Sequence, residues 1–209
     1  MIDWNSCVLW LENRYFTESY WWDRSKYRND GVVHGAKWKD NAFYFNGSSN
    51  YVICGNNDVL NFSDKLTIEA LIYPETTSLP QRIVDKRGDG VFYNLYITMD
   101  YGLLRSDLGS YVSSSYAIQE KKWQHIILTY NMNLSSENIK GYVNAKNVGN
   151  VDYSEPIDSN MNRLTVGAQS VDVSLSYYFK GKLALLRLYN DDLSEEKIRI
   201  LYRTTYRKI

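Results

Sequence analysis

The side chains best suited to chemistry are few and scattered. His34 and His125 have no obvious nucleophile partner. His125 sits in the strand-like run Trp123-Gln124-His125-Ile126-Ile127-Leu128-Thr129-Tyr130, where it is expected to hydrogen-bond within the fold. Cys7 and Cys54 show no metal-ligand spacing. They form one bridge if neighbouring strands bring them together, and otherwise stay free and buried. What remains is a set of rings, amides and cations, the mixture that stacks on sugars or on protein partners. Asn94, Tyr96 and Thr98 share one face of an alternating segment, with Arg105 on the next segment. Trp21 and Tyr27 stand in and beside a turn-rich loop that starts at Asp23. Each has an ordinary structural role as well: Trp21 as cover for a core edge, Tyr96 as a cross-strand partner.

These side chains need a scaffold, and the chain supplies one of a single kind. It has 209 residues, 44% hydrophobic, enough for one large β domain with a buried core. Lys plus Arg and Asp plus Glu both count 24, so the net charge gives no footprint for nucleic acid or an anionic membrane. Met1 to Leu11 lacks the basic start and apolar length of a signal peptide, and no stretch is long enough to span a bilayer. Short strands with frequent turns follow one another. Leu66 to Tyr73 alternates and stops at Pro74, Arg82 to Lys86 is a further strand, Phe92 to Thr98 alternates again, and Trp123 to Tyr130 is long. Val8 to Leu11, Phe43 to Phe45, Leu103 to Ser106, Tyr111 to Ile118, Ile139 to Val143, Leu164 to Gly167 and Phe179 to Tyr189 complete the series. A loop is expected through Tyr20 to Trp22 and a tight turn at Asn46-Gly47. Only the end is helical: Ser194 caps it, Glu195 and Glu196 suit its dipole, and Ile198, Leu201 and Tyr202 share a face. Arg199, Arg203 and Arg207 line another face, expected to be solvated. The fold class is therefore all-β, a two-sheet antiparallel sandwich with a short C-terminal helix, in one domain over residues 1–209.

The order of these segments carries a resemblance. Asp23, Ser25, Asn29 and Gly31 match an Asp-x-Ser-Gly-x-Gly-Asn-x-Gly loop, and Phe45, Gly47, Tyr51 and Val52 match the next element. Leu66 to Pro74 looks like a Thr-Ile-Glu-Ala-Trp-Val-x-Pro strand with Leu71 in place of Trp, and Trp123 to Tyr130 looks like a Trp-x-His-Val-x-x-Thr-Tyr strand. Gly141-Tyr142-Val143-Asn144 takes the place of a Leu-Tyr-Val-Asp-Gly hairpin, and Leu193 to Ile198 matches the closing helix. Together they resemble the jelly rolls, laminin-G-like and pentraxin-like, of the concanavalin A-like lectin/glucanase superfamily. The resemblance implies a jelly-roll sandwich and a non-catalytic module that recognises carbohydrate or a glycosylated surface. It also implies calcium at one end, with Asp23 and Asn29 as candidate donors. Lys26 and Arg28 replace glycines, and Ala184 and Leu185 replace an Asp-Glu pair. The loss of an acid at position 184 favours turn-making over calcium, which needs six to eight oxygens.

The glucanase branch needs carboxylates paired on one strand, one to attack and one to donate a proton. Neither Glu-x-Asp-x-Glu nor Glu-x-Asp-x-x-Glu occurs, and Glu155-Pro156-Ile157-Asp158 is a loop fragment. The expectation is no enzyme, no required cofactor, and Trp21, Tyr27, Asn94, Tyr96 and Arg105 as ligand-binding residues. The expected partner is a carbohydrate or glycoprotein, with no nucleic acid and no membrane insertion. The alternative is a structural or interaction protein, a viral or cell-surface component, that meets protein through its aromatic surface. Either role fits an extracellular, cell-surface or virion location.

Overall fold

The computed structural model describes residues 2–86, 93–97 (backbone only), 102–106, 112, 118–157, 159–169, 172 and 175–205. Its strands are β1 Cys7–Phe16, β2 Tyr20–Asp23, β3 Gly31–His34, β4 Lys37–Lys39, β5 Ala42–Asn46, β6 Tyr51–Ile53, β7 Lys65–Pro74, β8 Gln81–Lys86, β9 Tyr93–Ile97, β10 Leu104–Arg105, β11 Gln124–Asn131, β12 Ile139–Val143, β13 Lys146–Val151, β14 Thr165–Val166 and β15 Lys180–Tyr189. One helix, α1 Glu195–Thr205, follows them. The segment Tyr111 to Ile118, read as a strand from sequence, lies largely outside the described residues, as does Arg207.

The ladder runs β10-β9-β8-β14-β6-β3-β2-β1-β15-β7-β11-β12-β13, with β5 also on β15 and β4 on β5. It is unbroken, and β1 with β2 is the bulged link between its halves. The halves face each other across one core, to which Val52, Ile83, Val84, Leu104 and Val166 contribute from one side and Leu9, Ile68, Ile72, Leu128 and Leu186 from the other. This is a jelly-roll β-sandwich whose two layers are one folded ladder. Strand alternation decides which side chains meet. On β7, Leu66, Ile68, Ala70 and Ile72 enter the core. Glu69 and Leu71 face the opposite way, among the groups beneath α1 and beside Trp123.

One element differs from the sequence reading, and one expected turn joins strands that do not pair with each other. Tyr20 to Asp23 is a strand, because it pairs with both β1 and β3. Asn46-Gly47 is a turn but not a hairpin turn: β5 pairs with β15, whereas β6 pairs with β3 and β14. The turn carries the chain from one layer to the other. Asn46 Oδ1 accepts from the amides of Ser48 and Ser49, both at 3.0 Å, and Gly47 adopts φ 78°.

The helix packs by its apolar stripe. Ile198 and Leu201 meet Cys7, Ile127, Tyr142 and Tyr189 on the outer sheet face. Ser194 starts it, its carbonyl accepting from Ile198 N at 2.9 Å. Arg199 pairs with Glu195 at 2.9 Å on the exposed face. Cys7 and Cys54 are both free and buried, Cys7 in the cluster beneath the helix and Cys54 in the central core. Burial pushes the Cys7 thiol up to about 12 and the Cys54 thiol higher.

The β12–β13 hairpin stores removable strain. Asn144 and Ala145 adopt φ 51° and 60°, the left-handed pair that this tight turn favours and that glycine enters most easily at its second position. An alanine there is strained. Ala145→Gly is expected to raise stability by about 0.5–1 kcal/mol, read as a higher urea midpoint at unchanged slope.

Candidate functional site

The Asp23 loop is tied together from within. Asp23 is fully buried. Its Oδ1 accepts from Trp10 N and Ser25 N, each at 2.8 Å. Its Oδ2 accepts from Ser25 Oγ at 2.7 Å and Asn29 N at 2.8 Å. Asn29 Nδ2 donates to the Val8 carbonyl at 2.9 Å. Arg28 sits at φ 56°, the left-handed conformation that explains why glycine is usual in such a loop. Ala184 and Leu185 are buried in an apolar cluster with Ala42 and Leu71.

Trp21 requires a correction. The sequence offers it as a rim stacking platform or as cover for a core edge, and the structure buries it in the core at 0% exposure. Its ring packs 4.8 Å from Phe43, and its Nε1 donates to the Glu12 carbonyl at 3.0 Å. The alternation of β2 explains this: Trp21 and Asp23 point inward while Tyr20 and Trp22 point out. Tyr27 is half-buried against the core, with the Lys26 ammonium 5.0 Å from its ring.

The other expected residues share one stretch of ladder. Register sets Arg105 opposite Tyr96, Tyr96 opposite Arg82, and Asn94 opposite Asp85. Arg105 is half-buried. The side chains of Asn94 and Tyr96 lie outside the described residues.

A second arrangement escaped the sequence reading. A cleft of about 770 Å³ opens beside Trp123, within the range of small-ligand sites. Four elements converge on it: Tyr73 from the end of β7, the turn 119–123 before β11, Asn144 and Lys146 from the β12–β13 hairpin, and Tyr202 from α1. The half-buried Tyr73 and Trp123 rings lie 5.6 Å apart at 59°. Lys121, at φ 54°, donates its amide to the Pro74 carbonyl at 2.7 Å, which fixes the turn against β7. Gln119 N donates to Gln124 Oε1 at 2.7 Å. Lys122 Nζ donates to Gln119 Oε1 at 2.7 Å. Asn144 Oδ1 accepts from His125 N at 3.0 Å, which sets the hairpin on β11. Among the described residues the lining holds rings, amides and ammonium groups, and no carboxylate. Such a surface can stack on a sugar face and hydrogen-bond its hydroxyls, but it lacks the acid pair that glycoside hydrolysis uses.

Behind the cleft lies a buried charge network. Glu69, fully buried, accepts from His125 Nε2 at 2.9 Å, Tyr189 OH at 2.8 Å and Thr205 Oγ1 of the helix at 3.3 Å. Arg187 Nη1 lies 3.2 Å from both Glu69 oxygens, and Arg187 Nη2 lies 3.6 Å from Glu12. Burial drives the Glu69 carboxyl up, but Arg187, then His125 and Tyr189, outweigh it and hold the group at about 2. The network is structural: it joins β7, β11 and β15 to α1. No group of three or more His, Cys, Asp or Glu side chains suited to a metal occurs among the described residues.

Solved structures share this architecture. The binding domain of botulinum neurotoxin DC, solved with rat synaptotagmin II, superposes at TM-score 0.72 with 16% identity, over 96% of this chain and 52% of that one. A botulinum neurotoxin type C structure, from a study of cell entry through two ganglioside molecules, matches at TM-score 0.68 and 17% identity, over 96% and 51%. A Trypanosoma rangeli sialidase matches at TM-score 0.68 and 20% identity, over 94% and 32%. The chain thus spans about half of the toxin domains and a third of the sialidase. At such identities the likeness is one of fold. No curated protein matches the chain. The laminin-G family model of the concanavalin A-like lectin/glucanases superfamily matches residues 46–199, most of the chain, and to that family the chain belongs.

Proposed function

We propose that the chain is a non-catalytic binding module that recognises carbohydrate or a glycosylated surface through the Trp123 cleft. The observation that carries this reading is the pairing of a half-buried ring with amides and ammonium groups in a lining whose described residues include no carboxylate. Among similar folds, the binding domain of botulinum neurotoxin DC was solved both with SialylT and with rat synaptotagmin II. Both ligand kinds suit a module that holds rather than converts. The sialidases show that the fold also occurs within enzymes, so the absence of catalysis here rests on the lining of this cleft. A place where glycoconjugates are displayed, extracellular, cell-surface or virion, suits the role. No described helix is long and apolar enough to cross a membrane.

Trp123→Ala is expected to weaken binding to any glycan found on an array by at least about tenfold, since a central tryptophan often supplies that much. Arg105→Ala, at the ladder row of Asn94 and Tyr96, is expected to leave it unchanged. The reverse pattern would move recognition to that row.

Protein recognition is a second reading with an observation of its own. Tyr20 and Trp22 stack at 4.9 Å on the outer face of β2, 41% and 38% exposed. Exposed aromatic pairs of this kind serve as contact anchors.

For calcium, the donor set does not fit. Both Asp23 oxygens are already filled by two protein donors each, and the residues at 184 and 185 are apolar. We therefore expect that a chelator leaves the melting midpoint unchanged, whereas a bound ion would make it fall.

A further inference from the structure

The cleft differs from the rest of the molecule in charge. The whole chain is balanced at 24 cations and 24 anions, yet among the described residues the cleft is lined by Lys121, Lys122 and Lys146 and by no acid. All three lysines are exposed. None is ion-paired among the described residues, whereas Lys182 holds Asp40 at 2.7 Å and Lys65 holds Asp192 at 3.4 Å. The acid next in sequence is turned to other work. Glu120 Oε1 accepts from Thr77 N at 2.8 Å and Thr76 Oγ1 at 3.2 Å, and those bonds lower its pKa. Glu120 also feels the charge of Lys121, so the positive potential left for a ligand is carried mainly by Lys122 and Lys146. Concave walls strengthen such a potential and salt weakens it.

We propose that the cleft takes an anionic saccharide, a sugar ring laid on Trp123 with its carboxylate or sulfate met by the three lysines. The proposal rests on the carbohydrate reading above and narrows it. A neutral sugar would leave the lysines solvated and gain nothing from them. A polyanion without a ring face would gain charge but no stacking.

The test is titration of the full chain with lactose, 3′-sialyllactose and 3′-sulfated lactose at about 50 mM and about 300 mM NaCl, with inorganic polyphosphate as competitor. One or both acidic sugars are expected to bind at least about tenfold tighter than lactose at low salt, and the tighter of them assigns the anion. The advantage is expected to shrink at high salt and to vanish in the Lys122→Gln/Lys146→Gln variant. These substitutions are at exposed positions, so folding is retained. Equal affinity for lactose and the acidic sugars, lost in Trp123→Ala, would overturn the anionic assignment and leave the carbohydrate reading standing. Acidic-sugar binding that polyphosphate displaces and Trp123→Ala does not affect would mark mere polyanion adsorption and overturn the proposal. Binding of none of the three, with no neutral hit on a glycan array, would overturn both.

Discussion

Arg187→Ala is expected to lose about 3–5 kcal/mol of stability, the range for breaking a buried ion pair from one side. Arg187 is 2% exposed. Its guanidinium faces Glu69 at 3.2 Å and Glu12 at 3.6 Å and stacks 4.4 Å over the Trp10 ring. Removing it takes the guanidinium from the fully buried Glu69 carboxylate, which keeps only its bonds to His125, Tyr189 and Thr205 among the described residues, and weakens the hold on Glu12. Restoring charge balance with Glu69→Gln in the same chain should recover part of the loss, because a buried pair is worth less than one of its members is harmful alone. The same network sets an acid limit. The Glu69 carboxyl is depressed from 4.5 to about 2 in the fold. A depressed folded value means that the stabilisation is present above the unfolded value and lost as pH falls through the folded one. Stability should therefore decline between about pH 4.5 and 2, and Glu69→Gln should flatten that part of the profile. Urea titrations across this range read both effects. A loss under about 1 kcal/mol for Arg187→Ala would show that water or a neighbour takes over its role.

Asp23→Ala should be comparably severe, about 3 kcal/mol or more. Four donors at 2.7–2.8 Å then lose their acceptor inside the protein, and a buried unsatisfied donor costs roughly 1–3 kcal/mol before relaxation. The loop joins β1 to β2 and β3, the hinge between the two layers, so loss here should also increase hydrogen exchange at Trp10 and Asn29. Asp23→Asn keeps the shape but offers only one accepting oxygen, and an intermediate loss is expected. A melting midpoint within a degree or two of wild type would remove the loop from its structural role.

The fold was legible because alternation and turn chemistry act locally. Leu66 to Tyr73 shows the two-residue period that an outer and an inner face demand, Trp123 to Tyr130 has the length and composition of a strand, and the structure pairs them along their length. His125 was expected to bond within the fold, and it bonds Glu69. What misled was proximity to a loop. Trp21 follows an exposed aromatic residue and precedes a turn, so it looked like rim, but the two-residue period of β2 turns it inward. Asn46-Gly47 gave the turn but not its partners, because a turn fixes direction and not which layer receives the strand. The cleft was illegible for the same reason at longer range. Trp123 read as a strand start, and nothing in the order Lys121-Lys122-Trp123 shows that Tyr73, Asn144 and Tyr202 come beside it. Those neighbours are 50, 21 and 79 positions away. Their meeting depends on β7 pairing with β11 and on α1 returning over β11 and β12.

The most direct measurement of where this module binds is an NMR titration of the isotope-labelled chain with 3′-sialyllactose or the best glycan from an array. The Trp123 indole N–H and the amides of Lys122, Asn144 and Lys146 should shift together and saturate at one stoichiometric site, while the buried Trp21 indole stays still. Shifts confined to the ladder row of Asn94, Tyr96 and Arg105, or to Tyr20 and Trp22, would contradict the assignment of the Trp123 cleft.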